Sequence, residues 1–273
     1  MPYITTSDGV EIYYTEHGSG RPVLLSHGWP LNGDAWQLEL KLFADAGYRV
    51  IAHDRRGHGR STKTYTGNDL TTYAKDLSVL VEALDLHDLT VVGHSTGGGE
   101  VVRYAARYGG DRVVSVVTAG AIPPIMVKSP TNPEGTPIEV FDGIRAGLLK
   151  DRSQFYQDLS EAFYSANREN ANVSQGLRDE FWRQSMLAGL AAAYDCVEAF
   201  SETDQTEDLK AIDVPMMIAH GDDDQIVPIQ AAAEKSIKLV RNGTLKVYPG
   251  GSHGIHGAYQ QQLDADILDF LKS

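Results

Sequence analysis

The segment Gly93-His94-Ser95-Thr96-Gly97 sets a hydroxyl between two glycines, directly after the apolar run 89–92 and directly before a stretch with helical spacing. At a sharp strand-to-helix turn a serine has its hydroxyl pushed out above the sheet, and only small residues fit two places before and after it. Gly93 and Gly97 meet that demand, which makes Ser95 a candidate nucleophile. A serine hydroxyl reacts poorly at neutral pH and needs a neighbouring base, usually histidine, oriented by a carboxylate. Two later turns can supply them. His220-Gly221-Asp222-Asp223-Asp224-Gln225-Ile226-Val227-Pro228 follows the run 215–219, and Pro249-Gly250-Gly251-Ser252-His253-Gly254 follows the run 244–248. The chemistry such a set performs is acyl transfer through an acyl-serine intermediate.

For these groups to meet, their turns must lie on one edge of one sheet. Short β-branched apolar runs at 10–14, 22–26, 48–52, 89–92, 113–118, 215–219 and 244–248 read as strands. Amphipathic stretches lie between most of them. In 69–84, Leu70, Tyr73, Leu77, Leu80, Val81 and Leu84 recur at three- and four-residue steps and form one apolar helical stripe. Strands alternating with helices imply right-handed crossovers and a mostly parallel central sheet flanked by helices, with ligands beyond the carboxyl ends of the strands.

The alternation stops from 122 to 213. Pro123, Pro124, Pro130, Pro133 and Pro137 open that stretch, and 140–149, 153–164 and 174–200 then read as helices. Leaving the sheet just past a strand's carboxyl end, this insertion is expected to sit over the ligand edge as a helical cap. The division is a core domain of 1–121 and 214–273 with a cap of 122–213. Phe141, Phe155, Tyr156, Phe163, Tyr164, Trp182 and Tyr194 read first as the cap's own core.

The 273 residues can bury a large core, and a formal charge of −13 would repel nucleic acid and anionic membrane surfaces. The single cysteine, Cys196, excludes an internal disulfide and reads as a small buried apolar residue. The polar stretch 1–9 lacks the cationic and apolar segments of a secretory leader, and no apolar run reaches about 18 residues, so a cytoplasmic location is expected. His17, His53, His58, His87, His94 and His220 form no metal-binding spacing, and neither a metal nor another cofactor is expected.

Ser26-His27-Gly28-Trp29-Pro30, Asp54-Arg55-Arg56-Gly57-His58-Gly59-Arg60-Ser61, the Ser95 segment continued through Gly98-Gly99-Glu100, and Ala219-His220-Gly221 with Asp224 and Val227-Pro228 are similar to α/β-hydrolases. The order serine, acid, histidine is also that of the fold. More narrowly the chain resembles the cofactor-free bacterial haloperoxidases, or perhydrolases, a branch that includes aryl esterases and a bicyclic γ-lactamase. The likeness runs through the cap at Val140-Phe141-Asp142-Gly143, Ser153-Gln154-Phe155-Tyr156 and Ala199-Phe200-Ser201-Glu202-Thr203-Asp204. It departs at Tyr164-Ser165-Ala166-Asn167, where relatives carry a larger aromatic beside a glycine, and that bears on substrate size.

The resemblance implies which acid serves. The family pattern of Gly, two residues, Asp, two residues, Val-Pro falls on Gly221, Asp224 and Val227-Pro228, leaving Asp222 and Asp223 as turn residues. His253 fits the family's Ser-His-Gly turn, whereas His256 has no match in it. In an elbow of this kind the oxyanion donors are the backbone N–H groups of Thr96, after the serine, and of Trp29 in the early loop. Pro30 lacks an N–H, fixes that loop and can leave a carbonyl facing the pocket. The resemblance implies that proline here goes with perhydrolysis. Pro30, Ile122, Met126, Phe163, Ile226 and Ile229 are expected to line the substrate pocket.

The expected function is therefore a serine hydrolase. Ser95 takes the acyl group of a small carboxylic ester or acid, and water or hydrogen peroxide releases it, the latter as a peracid. The same machinery could open a lactam, and a hydrolase-like ligand receptor is the reading from another class. An aspartate-nucleophile enzyme is disfavoured because the elbow holds Ser95. Assembly as a homo-oligomer is left open.

Overall fold

The computed structural model describes residues 2–169, 171–255 and 259–272. Within these, the strands are β1 (Tyr3–Thr5), β2 (Glu11–Gly18), β3 (Pro22–Ser26), β4 (Arg49–His53), β5 (Leu89–His94), β6 (Val113–Ala119), β7 (Met216–Gly221) and β8 (Gly243–Tyr248). They form one sheet in the order β1-β2-β4-β3-β5-β6-β7-β8. β1 pairs with β2 and β2 with β4 antiparallel at one edge, and the other five pairings are parallel. β3 and β5 are buried at every position, as strands covered on both faces must be. Seven strands fall on the apolar runs of the sequence. The eighth, β1, is three residues long and carries no such run.

Helices α1 (Gln37–Asp45), α2 (Leu70–Ala83), α3 (Thr96–Arg107), α8 (Ala233–Ser236) and α9 (Gln260–Leu271) flank the sheet. α2 starts where the carboxylate of Asp69 accepts the N–H groups of Thr71 and Thr72, an N-cap that satisfies two otherwise orphaned donors.

Between β6 and β7 run α4 (Ile138–Phe163), α5 (Gln175–Ser185), α6 (Leu190–Glu202) and α7 (Thr206–Ala211). The two helices read from sequence, 140–149 and 153–164, are the two segments of α4, which Asp151 separates with a non-helical φ of −162° and ψ of 86°. The stretch 174–200, read as one helix, is two. Gly189 caps α6 in an extended conformation and donates its N–H to the carbonyl of Gly57 over 2.8 Å, so a distant loop helps fix where α6 begins. No helix among the described residues is long and apolar enough to cross a membrane.

Candidate active site

Ser95 stands between β5 and α3 with φ 53° and ψ −120°, a conformation non-glycine residues adopt at strain. Its neighbours explain how that turn closes. A Cβ on Gly93 would lie 2.3 Å from the carbonyl oxygen of Gly97, and one on Gly97 would lie 2.2 Å from the carbonyl oxygen of Ser26. Neither contact involves a side chain that could move aside, so both positions admit only glycine.

β5, β7 and β8 end on the same edge, and the turns beyond them bring three side chains into line. His253 Nε2 lies 2.9 Å from Ser95 Oγ, and His253 Nδ1 lies 2.8 Å from Asp224 Oδ2. All three are buried, with Ser95 at 6% exposure. Burial alone would raise the Asp224 carboxyl, but the charge of His253 and hydrogen bonds from His220 and His253 outweigh it and hold the group well below the usual range. Its other oxygen accepts the backbone N–H groups of Ile226 (2.9 Å) and Val227 (2.8 Å). An ionised Asp224 fixes the proton of His253 on Nδ1 and leaves Nε2 free to accept the serine proton.

The other aspartates of that turn do different things. Asp222 accepts the Gly250 N–H over 2.5 Å, and Asp223 pairs with Arg168 and with the Ser165 hydroxyl of the 164–167 turn. His256 lies outside the described residues.

An apolar cavity of about 180 Å³ opens on Ser95 and His253. Ile122, Met126, Phe163 and Ile226, all expected in the pocket, form part of its wall together with Trp29 and Thr96. Two expected residues are elsewhere. Ile229 is packed with Leu209, Ile212 and Met216 in the core cluster on the sheet, because the chain coils after Pro228 and carries it away from the acid turn. Pro30 is buried without contributing to the cavity wall. Its peptide bond to Trp29 is cis, and Leu31 donates its N–H to the Gly28 carbonyl over 3.0 Å, closing a type VI turn. The Trp29 indole is fixed from the other side by donation to the Ala193 carbonyl of α6 over 3.0 Å.

A profile of the alpha/beta hydrolase fold matches residues 21–257. The chain belongs to the α/β hydrolase family. Within that family it is 53% identical over 274 residues to a "Non-heme haloperoxidase" of Rhodococcus erythropolis, with 100% of each chain covered. It is 48% identical to a "Bifunctional esterase/perhydrolase" of Acinetobacter calcoaceticus, again over 100% of each. Among solved structures, a bromoperoxidase from Bacillus anthracis superposes with a TM-score of 0.94 at 38% identity, covering 97% of this chain and 96% of that one. This α/β hydrolase therefore groups with the non-heme haloperoxidases and perhydrolases.

Reasoning from sequence assigned no role to several polar residues that sit behind the α/β hydrolase site. His94 Nε2 donates to the backbone carbonyl of His253 over 2.9 Å, tying the residue before the serine to the histidine turn. His27 Nε2 accepts the Arg55 N–H over 3.0 Å, so its proton sits on Nδ1 and is donated to the Gly28 carbonyl over 2.9 Å. Burial first, and then the nearby Arg55 charge, push the His27 imidazole well below its usual range and keep it neutral. Glu100, Arg55 and Ser26 complete this buried set. Burial works against ionisation of Glu100, yet Arg55 and His53 bring its carboxyl down to about 2. His94, His27, Arg55, Glu100 and Ser26 each lie in one of the segments that carry the family resemblance, but no local pattern says that they meet.

Proposed function

We propose that this α/β hydrolase is a serine esterase that releases its acyl group to water or to hydrogen peroxide. The observation that carries the reading is the unbroken chain from Ser95 Oγ through His253 to Asp224, at 2.9 and 2.8 Å, opening onto an apolar cavity. Ser95 Oγ attacks the ester carbonyl while His253 Nε2 takes its proton, and Asp224 steadies the imidazolium. The backbone N–H groups of Trp29 and Thr96 receive the developing oxyanion. His253 returns the proton to the leaving alcohol, leaving an acyl-serine.

In the second half His253 takes a proton from water or hydrogen peroxide, which attacks the acyl carbon; the bond from that carbon to Ser95 Oγ then breaks, and His253 returns the proton to Oγ. Water yields the carboxylic acid, and peroxide yields the peracid. A peracid oxidises bromide or chloride in solution, which accounts for halogenation without a redox cofactor. The names carried by the haloperoxidase and esterase/perhydrolase relatives support this pairing of activities. The acyl donor is a small, uncharged carboxylic ester or a carboxylic acid, because the wall is largely aliphatic and aromatic and presents no cation to a second carboxylate.

The test compares p-nitrophenyl butanoate hydrolysis with butanoate- and peroxide-dependent bromination of monochlorodimedone. Ser95→Ala abolishes both; full turnover by that variant would sink the reading. Pro30→Leu restores a backbone N–H beside Trp29, and the ratio of bromination to hydrolysis falls. An unchanged ratio would remove Pro30 from the account of peroxide use.

A further inference from the structure

The two N–H groups assigned to the oxyanion come from different parts of the chain. Trp29 sits in the loop after β3, and Thr96 opens α3. Their separation sets how well a tetrahedral intermediate fits, since donors must stand where the charge develops. The described residues show one polar path that spans the two elements. Glu100 lies on α3 one turn beyond Thr96, and its Oε2 accepts from Arg55 Nε over 2.7 Å and from the Ser26 hydroxyl over 2.9 Å. Arg55 Nη2 donates to the His27 carbonyl over 2.7 Å, and the Arg55 backbone N–H reaches His27 Nε2. His27 then holds the Gly28 carbonyl, which also closes the turn around Trp29. Arg55 and Glu100 are each 1% exposed.

Stability is a poor account of this pair. Desolvating two charges offsets most of their attraction, and apolar replacements of similar volume are commonly as stable. What the pair supplies is geometry. A guanidinium is a rigid fork, and here one prong meets the helix and another meets the loop.

We propose that the buried Arg55–Glu100 ion pair is a positioning device that sets the separation between the Trp29 and Thr96 N–H groups. This rests on the assignment of those groups as the oxyanion donors. Neither Arg55 nor Glu100 reaches the cavity, so both act through the loop and the helix they hold.

Arg55→Lys keeps the charge and loses the fork. Ser26→Ala removes only the hydroxyl bridging Glu100 to the Arg55 side, and serves as the milder variant if the first does not fold. Each is measured per active site, titrated with diethyl p-nitrophenyl phosphate, so that misfolded protein does not count. For Arg55→Lys, kcat on p-nitrophenyl butanoate falls about 30-fold with KM within about threefold, as expected of a sub-ångström displacement. Inhibition by butylboronic acid, which forms a tetrahedral adduct on the serine, weakens by a similar factor, while inhibition by butanoate stays within about threefold. Ser26→Ala shows the same pattern at about fivefold. Per-site kcat and boronate affinity close to the parent in these variants would overturn the proposal, as would a loss expressed only in KM. Equal boronate inhibition of Ser95→Ala would strike the serine assignment and, with it, the oxyanion donors on which the positioning claim rests.

Discussion

The ring of Phe163 stands edge-on to the imidazole of His253, with centroids 4.8 Å apart and planes at 87°. Phe163 is the last residue of α4, and its carbonyl accepts the Gly254 N–H over 2.7 Å. The long helix after β6 thus holds the histidine turn twice, once through a ring and once through the backbone.

Phe163→Ala removes the ring contact and keeps the backbone bond. His253 then samples orientations in which Nε2 no longer faces Ser95 Oγ, and kcat for p-nitrophenyl butanoate falls about tenfold, a fraction of the penalty for a full 1 Å misplacement. Phe163→Leu refills most of the space and recovers part of the loss. Equal activity of Ala and Leu variants with the parent would show that the backbone bond alone holds the turn.

Asp224 follows two residues of its own type, Asp222 and Asp223, that could be mistaken for it, and substitution separates them. In Asp224→Asn the amide oxygen still accepts the Ile226 and Val227 N–H groups, so its NH₂ is turned toward His253 Nδ1. A donor there stabilises the wrong tautomer, and kcat falls about ten-thousand-fold. Asp222→Asn retains activity within about threefold, because Asp222 bonds the Gly250 backbone, as turn aspartates commonly do. Comparable losses in the two variants, read in the same esterase assay, would contradict the assignment of the acid.

Acid sensitivity should originate behind the site. His58 is fully buried, and burial together with the Arg55 charge brings its imidazole from 6.5 down to about 3. Between those values the unfolded chain binds a proton that the folded protein refuses. Stability is therefore complete above about pH 6.5 and drains away as pH falls toward 3, at about 1.4 kcal/mol per unit. At pH 5 the contribution lost is about 2 kcal/mol. His58→Asn keeps a donor for the Arg56 carbonyl that Nδ1 now faces at 3.0 Å, and it cannot titrate. Urea unfolding at pH 7 and pH 5 should show the variant losing about 2 kcal/mol less than the parent. Identical losses would place the acid sensitivity elsewhere.

Much of the core was legible because its signals are local. Apolar runs mark buried strands, and the glycines around Ser95 answer to contacts within one turn and one neighbouring strand. What escaped depends on distant partners. The start of α6 is set with help from a Gly57 carbonyl that no helical periodicity reports. Arg55 meets Glu100 across 45 positions of sequence, a pairing that no local pattern reports. Ile229 misled for the converse reason. Its neighbours in sequence, Ile226 and Val227, do line the cavity, but a turn after Pro228 sends it into the core. The aromatics between β6 and β7 divide in a way composition could not foresee, with Phe141 and Phe155 on the cavity wall and Tyr156 in the surrounding core.

That division makes acyl length adjustable from α4. Phe155 lines the cavity and also packs close to Gly147 on the same helix, where an added Cβ would lie 2.5 Å from its ring. Phe155→Ala removes one wall residue without touching Ser95, His253 or Asp224. A longer acyl chain can then bury more methylenes, each contributing about 0.8 kcal/mol. Two extra buried methylenes correspond to about a 15-fold gain, so the ratio of kcat/KM for p-nitrophenyl octanoate over butanoate should rise by about that factor. The butanoate rate itself should change little, because its carbonyl is placed by the serine and the loop at Trp29. A ratio unchanged from the parent would mean that the acyl chain runs along another wall of the cavity, toward Ile122 and Met126.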